Sequence, residues 1–119
     1  MPITIESNNW TQAELDVCVK VYIKMLSKEK TGDSYKKSDY RDQVLAGALG
    51  QRTITSFECR MQSISHVLIT LGMQYILAYT PAKNISENIF DLILISLARN
   101  GYALLTDLGT SVGIDNQKQ

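Results

Sequence analysis

Leu15, Cys18, Val19, Tyr22, Met25 and Leu26 recur at helical spacing, so they share one face of a helix. Its start is marked by Thr11-Gln12-Ala13-Glu14, a capping box in which the Thr11 hydroxyl and the Glu14 carboxylate satisfy orphan backbone N–H groups reciprocally. Trp10 and Leu15 are placed to form the hydrophobic staple, and Thr31-Gly32-Asp33 ends the helix. Lys20, Lys24, Lys28 and Lys30 crowd its outer face and C-terminal end, where cations suit the dipole.

A second stripe, Tyr40, Val44, Leu45, Ala48 and Leu49, predicts a helix over 37–49 with Gly50 as its stop. After a tight Gln51-Arg52-Thr53 turn, Thr55-Ser56-Phe57-Glu58 reads as a second capping box. Phe57, Met61, Ile64, Leu68 and Leu71 then predict a third helix that ends at Gly72. Its polar side carries Glu58, Gln62, Ser65, His66 and Thr70, with Arg60 and Ser63 at the flank. So short a joint between the second and third helices predicts a helix-turn-helix.

Residues 73–84 read as a compact loop pinned by Tyr75, Ile76 and Tyr79. Ser86 is placed to cap a fourth helix, which is apolar on most sides. Such a helix must be buried nearly all round, in the core or at a subunit interface formed by Ile89, Phe90, Ile93, Leu94 and Leu97. Residues 102–108 continue as a short helix or extended piece, and 109–119 read as a flexible tail. The expected class is all-α, as one domain: a helix-turn-helix module over 1–85 and an apolar helix within 86–108.

Composition adds limits. With 119 residues, 45% of them hydrophobic and 20% charged, the chain suits a single folded domain with one core. The apolar run in 89–98 is interrupted by Asp91 and Ser96 and falls short of the ~20 residues of a membrane span. MPITIESNN lacks a basic n-region, so a cytoplasmic protein is expected. Cys18 and Cys59, flanked by apolar residues, read as two buried thiols. Formal charge is zero, yet residues 20–60 carry nine Lys/Arg against five Asp/Glu. Neutrality argues against a nonspecific DNA coater, because affinity for phosphate scales with the charges neutralised.

Catalytic chemistry is not expected. The sequence has one histidine and no glycine-rich phosphate loop, C-x-x-C or H-x-x-x-H spacing, so neither metal nor cofactor is expected. His66 reads as a surface or contact residue, and the Asn84-Ile85-Ser86 sequon as a helix cap.

Two resemblances sharpen the picture. Trp10-Thr11-x-x-Glu14, followed by Leu49-Gly50-Gln51-Arg52-Thr53-x-x-Ser56-x-Glu58-x-Arg60, is loosely similar to Myb/SANT-like tri-helical DNA-binding domains. The chain more closely resembles the helical module in front of HNH endonuclease domains of bacterial restriction-type proteins. The residues that carry this likeness are Gln62, Ile64, Ser65, Val67 and Leu68, then Gly72, Tyr75, Ile76, Tyr79, Pro81 and Asn84. The resemblance covers about residues 9–85 and implies a DNA-recognition or adaptor module; with no nuclease domain in the sequence, cleavage is not implied.

The leading expectation is duplex DNA binding through the third helix. Gln62, Ser63 and His66 would face base edges, and Arg52 and Arg60 would clamp phosphate or reach guanine. Lys36, Lys37 and Arg41 would hold the backbone without reading sequence. The fourth helix would pair two copies, setting their recognition helices about 34 Å apart. The competing expectation is a protein–protein interaction module of a phage or mobile element, acting as an inhibitor or decoy of a host defence complex in the anti-restriction or anti-CRISPR manner.

Overall fold

The structure, a computed structural model, describes residues 10–102. The expectations for residues 1–9 and 103–119, including the tail, lie outside the described residues. The chain is all-helical, with four helices among the described residues: α1 (Gln12–Thr31), α2 (Lys37–Ala46), α3 (Ile54–Thr70) and α4 (Glu87–Arg99). A tri-helical core with one additional helix is the architecture. α1 packs most extensively on α4, and both pack on α3, while α2 touches α1 and α3 more lightly.

The capping box of α1 forms as expected. Glu14 N donates to Thr11 Oγ1 at 3.2 Å, and Thr11 N donates to Glu14 Oε1 at 3.0 Å. Trp10 and Leu15 are both buried. At the other end Gly32 takes φ 81°, a left-handed conformation that costs glycine nothing, and Asp33 N donates to Lys28 O at 2.8 Å.

The joint between α2 and α3 differs from the expectation. α2 stops at Ala46, and residues 47–53 form successive turns in which Leu49 N donates to Val44 O at 2.8 Å and Arg52 N to Leu49 O at 2.9 Å. The chain leaves the helix to turn Leu49 into the core, where it is 1% exposed. α2 itself contributes no buried side chain. The cap of α3 is Thr53 rather than Thr55. Ser56 takes the part given to Glu58: Ser56 N donates to Thr53 Oγ1 at 3.0 Å and Thr53 N to Ser56 Oγ at 3.2 Å. Phe57, Met61, Ile64 and Leu68 are fully buried, as their spacing requires, and Leu71 is half-buried.

The 73–84 loop is held by a buried polar knot. Tyr22 Oη lies 2.7 Å from Ser65 Oγ and accepts from Ile76 N at 2.8 Å, joining α1, α3 and the loop. Burial pushes the Tyr22 hydroxyl up to about 12. The Tyr79 ring packs 6.2 Å from the Tyr22 ring, but its buried hydroxyl has no hydrogen-bond partner among the described residues. The two tyrosines should therefore answer differently to loss of the hydroxyl. Tyr22→Phe strands a buried N–H and should cost about 1–3 kcal/mol in urea unfolding, whereas Tyr79→Phe should be neutral or slightly stabilising.

α4 is buried on one face only. Ile89, Ile93, Ser96 and Leu97 are buried against α1 and α3, Phe90, Leu92 and Leu94 are half-buried, and Asp91 and Ile95 are exposed. Of the two places left open for this set, the core takes Ile89, Ile93 and Leu97, and Phe90 and Leu94 pack against it. A polar seam fixes the register of α4 on α1. Gln12 Nε2 donates to Leu92 O at 2.9 Å, Ser96 Oγ to Asp16 Oδ1 at 2.6 Å, and Arg99 Nη1 to Asp16 Oδ2 at 2.9 Å. Desolvation raises the Asp16 pKa, but these bonds outweigh it and hold the carboxyl below its ordinary value.

Candidate nucleic-acid interface

The residues expected to touch DNA fall into three groups. Arg52 and Arg60 come together around Trp10, with guanidinium carbons 4.1 and 5.4 Å from the indole centroid, within cation–π range. Arg52 is not available to a phosphate. Its Nε and Nη2 donate to the two Glu14 oxygens at 2.9 and 2.7 Å, and its side chain is 6% exposed. The Arg52 fork holds the Glu14 carboxyl below its ordinary value. Arg60 is partly buried, and desolvation pushes its pKa down.

Gln62, Ser63 and His66 do not form an open reading face. Ser63 is 1% exposed and donates to Cys59 O of its own helix at 2.9 Å. His66 Nδ1 lies 2.7 Å from Ala82 O, and its ring meets Phe90 edge-on at 6.3 Å. The backbone carbonyl of Gln62 accepts from Ala82 N at 3.1 Å, and the Gln62 side chain is half-buried. The loop end and first turn of α4 thus lie along the polar side of α3. A side chain can read a base edge only if α3 enters the groove, and here residues 82–90 occupy that space. The expectation of base readout by Gln62, Ser63 and His66 is corrected accordingly. Between α3 and this strap a cleft of about 350 Å³ remains, lined among others by Cys59, Arg60, Gln62, Asn84, Ser86 and Asn88.

The third group lies at the start of α2. Lys36 is exposed at the N-cap of α2, while Lys37 is half-buried with Nζ 4.6 Å from the Tyr79 ring centroid. Arg41 pairs with its neighbour Asp42 at 2.9 Å, which raises its pKa. A signal present in the sequence but assigned to the helix dipole belongs with them. On α1, Lys20, Lys24 and Lys28 stand four residues apart, roughly one 5.4 Å turn each. Lys20 and Lys24 are exposed, and Lys28 lines a shallow cleft of about 350 Å³ together with Lys36, Tyr35, Asp39, Tyr40 and Gln43. Glu29, the acid nearest in sequence to that track, is occupied by the Tyr35 hydroxyl at 2.6 Å.

Of the two thiols, Cys18 is buried, with a pKa pushed up to about 12 by desolvation, whereas Cys59 is exposed, against the expectation of two buried cysteines. No cluster of three or more His, Cys, Asp or Glu side chains able to hold a metal occurs among the described residues, and none of their helices is long and apolar enough to cross a membrane. No family model, curated protein or solved structure matches the chain.

Proposed function

We propose that the protein is a non-catalytic binding module that holds duplex DNA by its phosphates, along the outer face of α1 and across the α1–α2 corner. Lys28 and Lys36 lining one cleft, in line with Lys24 and Lys20, is the observation that carries this reading. Lys37 and Arg41 flank the track on α2. Lysines without fixed carboxylate partners suit backbone contacts, which set position without reading sequence. The covered polar side of α3 favours this mode over base-edge readout. A restriction-type adaptor that grips DNA wherever a partner directs it fits such a surface.

Fluorescence anisotropy with a mixed-sequence duplex tests the reading. Four phosphate contacts predict log K falling against log salt with a slope of about −3.6. Replacing Lys20, Lys24, Lys28 and Lys36 by alanine should flatten that slope towards zero, whereas Gln62→Ala should leave affinity within about twofold. Absence of binding at low salt would sink the proposal.

A second reading, a protein–protein module directed at a host defence complex, is favoured by one observation: Leu77 is 75% exposed in the loop, with Ile54, Ile69 and Ile95 each about half exposed. Scattered apolar side chains are common on monomers, which places this reading behind the lysine track.

A further inference from the structure

We propose that the cleft between α3 and the start of α4 is a phosphate-group binding site, with Arg60 as its cation. The chain has four arginines, and three have a carboxylate: Arg41 with Asp42, Arg52 with Glu14 and Arg99 with Asp16. Arg60 has none among the described residues, and its buried Nε has no hydrogen-bond partner there. The Trp10 ring, 5.4 Å from the guanidinium carbon, covers one of its faces and offers no oxygen to accept an N–H. A partly buried guanidinium whose Nε meets no acceptor among the described residues is a costly arrangement, and an anion in the cleft beside it would offset that cost.

The cleft is built to admit such a group. Its volume of about 350 Å³ lies at the small end of the range for ligand sites. No Asp or Glu lines it, and the amides of Gln62, Asn84 and Asn88 supply further donors. Ser86 Oγ accepts from Ile89 N at 3.1 Å, which leaves its hydroxyl proton free to donate. Donors on several sides of the cleft suit the tetrahedral oxygens of a phosphate better than a planar carboxylate, which one guanidinium fork satisfies. The first turn of α4 adds the favourable end of a helix dipole. This site does not depend on the lysine track: a protein that ignored duplex DNA would still take phosphate here.

Cys59 is an exposed thiol on the cleft wall, and Cys18 is buried, so alkylation reports on the site. The full chain is treated with iodoacetamide, a neutral reagent, at constant ionic strength in chloride or inorganic phosphate, and read by intact mass. Phosphate should slow modification of Cys59 with half-saturation near 1 mM or below, and chloride should not. Arg60→Gln should weaken this protection about tenfold or more. Asn88→Asp, at an exposed position on the rim, provides a second variant: its carboxylate repels the anion, so protection should be lost while the helical circular dichroism signal persists. A mononucleotide protecting better than inorganic phosphate would identify a free nucleotide as the source. A 5′-phosphorylated oligonucleotide outperforming its 5′-hydroxyl twin would identify a nucleic-acid end. Equal alkylation in phosphate and chloride, or full protection surviving in both variants, overturns the site.

Discussion

Leu97→Ala is expected to lower the free energy of unfolding by about 2–5 kcal/mol, and by the same amount at low and high protein concentration. Leu97 is fully buried, on the face of α4 that packs on α1 and α3. Truncation removes the transfer free energy of three carbons and leaves a void that the seam between Gln12, Asp16, Ser96 and Arg99 prevents from collapsing. The concentration series separates two roles. At a subunit interface the urea midpoint would rise with protein concentration, because association stabilises the folded state by mass action. In an intramolecular core it stays fixed. Ile95→Ala, at an exposed position of the same helix, should change stability by less than about 0.5 kcal/mol. A midpoint that climbed with concentration, in the wild type or in Leu97→Ala, would return α4 to an interface.

What could be read from the sequence follows the range of the forces involved. α1 was legible in full because its determinants are local: the Thr11–Glu14 box, the Leu15–Leu26 stripe and the Gly32 stop all lie within the helix or beside it. The core stripe of α3 was legible for the same reason. The α2–α3 joint was not, because its course is set by Leu49 seeking the core and by Arg52 reaching a carboxylate 38 positions away. The choice between Thr53 and Thr55 as cap follows from that turn: local pattern favours the threonine with glutamate three residues on, but the chain enters α3 at Thr53. α4 offered apolar residues on most sides, so periodicity did not single out the buried face. Gln12 and Asp16, 80 or more positions away, fix it through Leu92, Ser96 and Arg99.

The candidate site divides in the same way. Cations were recognisable by type, but their surroundings were not: Lys36 is exposed, whereas Lys37 and Arg41 are half-buried, one over the Tyr79 ring and the other paired with Asp42. A polar helix face, however, looks alike whether water or another segment covers it. His66 and Gln62 were read as facing a ligand, yet the Ala82 backbone meets both. Ser63 needed no partner beyond its own helix, since a serine can return its hydroxyl to the carbonyl four residues back. That Arg60 has no carboxylate among the described residues was invisible for the converse reason: it emerges only when each other arginine has been assigned its acid.

Arg52→Gln is the substitution that tests the other arginine beside Trp10, and it should cost about 2–4 kcal/mol at neutral pH, somewhat below the loss typical of a fully buried pair. The discount reflects Glu14, whose side chain keeps 21% exposure and can be partly hydrated when its partner leaves. The cost should depend on pH in a defined sense. Because Arg52 holds the Glu14 carboxyl below its ordinary value in the folded state, the pair contributes fully above the unfolded pKa of about 4.3, and that contribution fades as pH falls through the folded one. Urea unfolding of wild type and variant from pH 7 to pH 3 should therefore show a gap that is widest at neutral pH and narrows under acid. Asp16, also held low, supplies an acid-dependent loss common to both proteins, which cancels in the difference. What remains at low pH is the stacking of the guanidinium on Trp10, 4.1 Å from the ring centroid, which carries no titrating partner. A gap that stayed constant across the range would mean that Arg52 acts through packing on the indole alone, with the Glu14 fork contributing nothing to the fold.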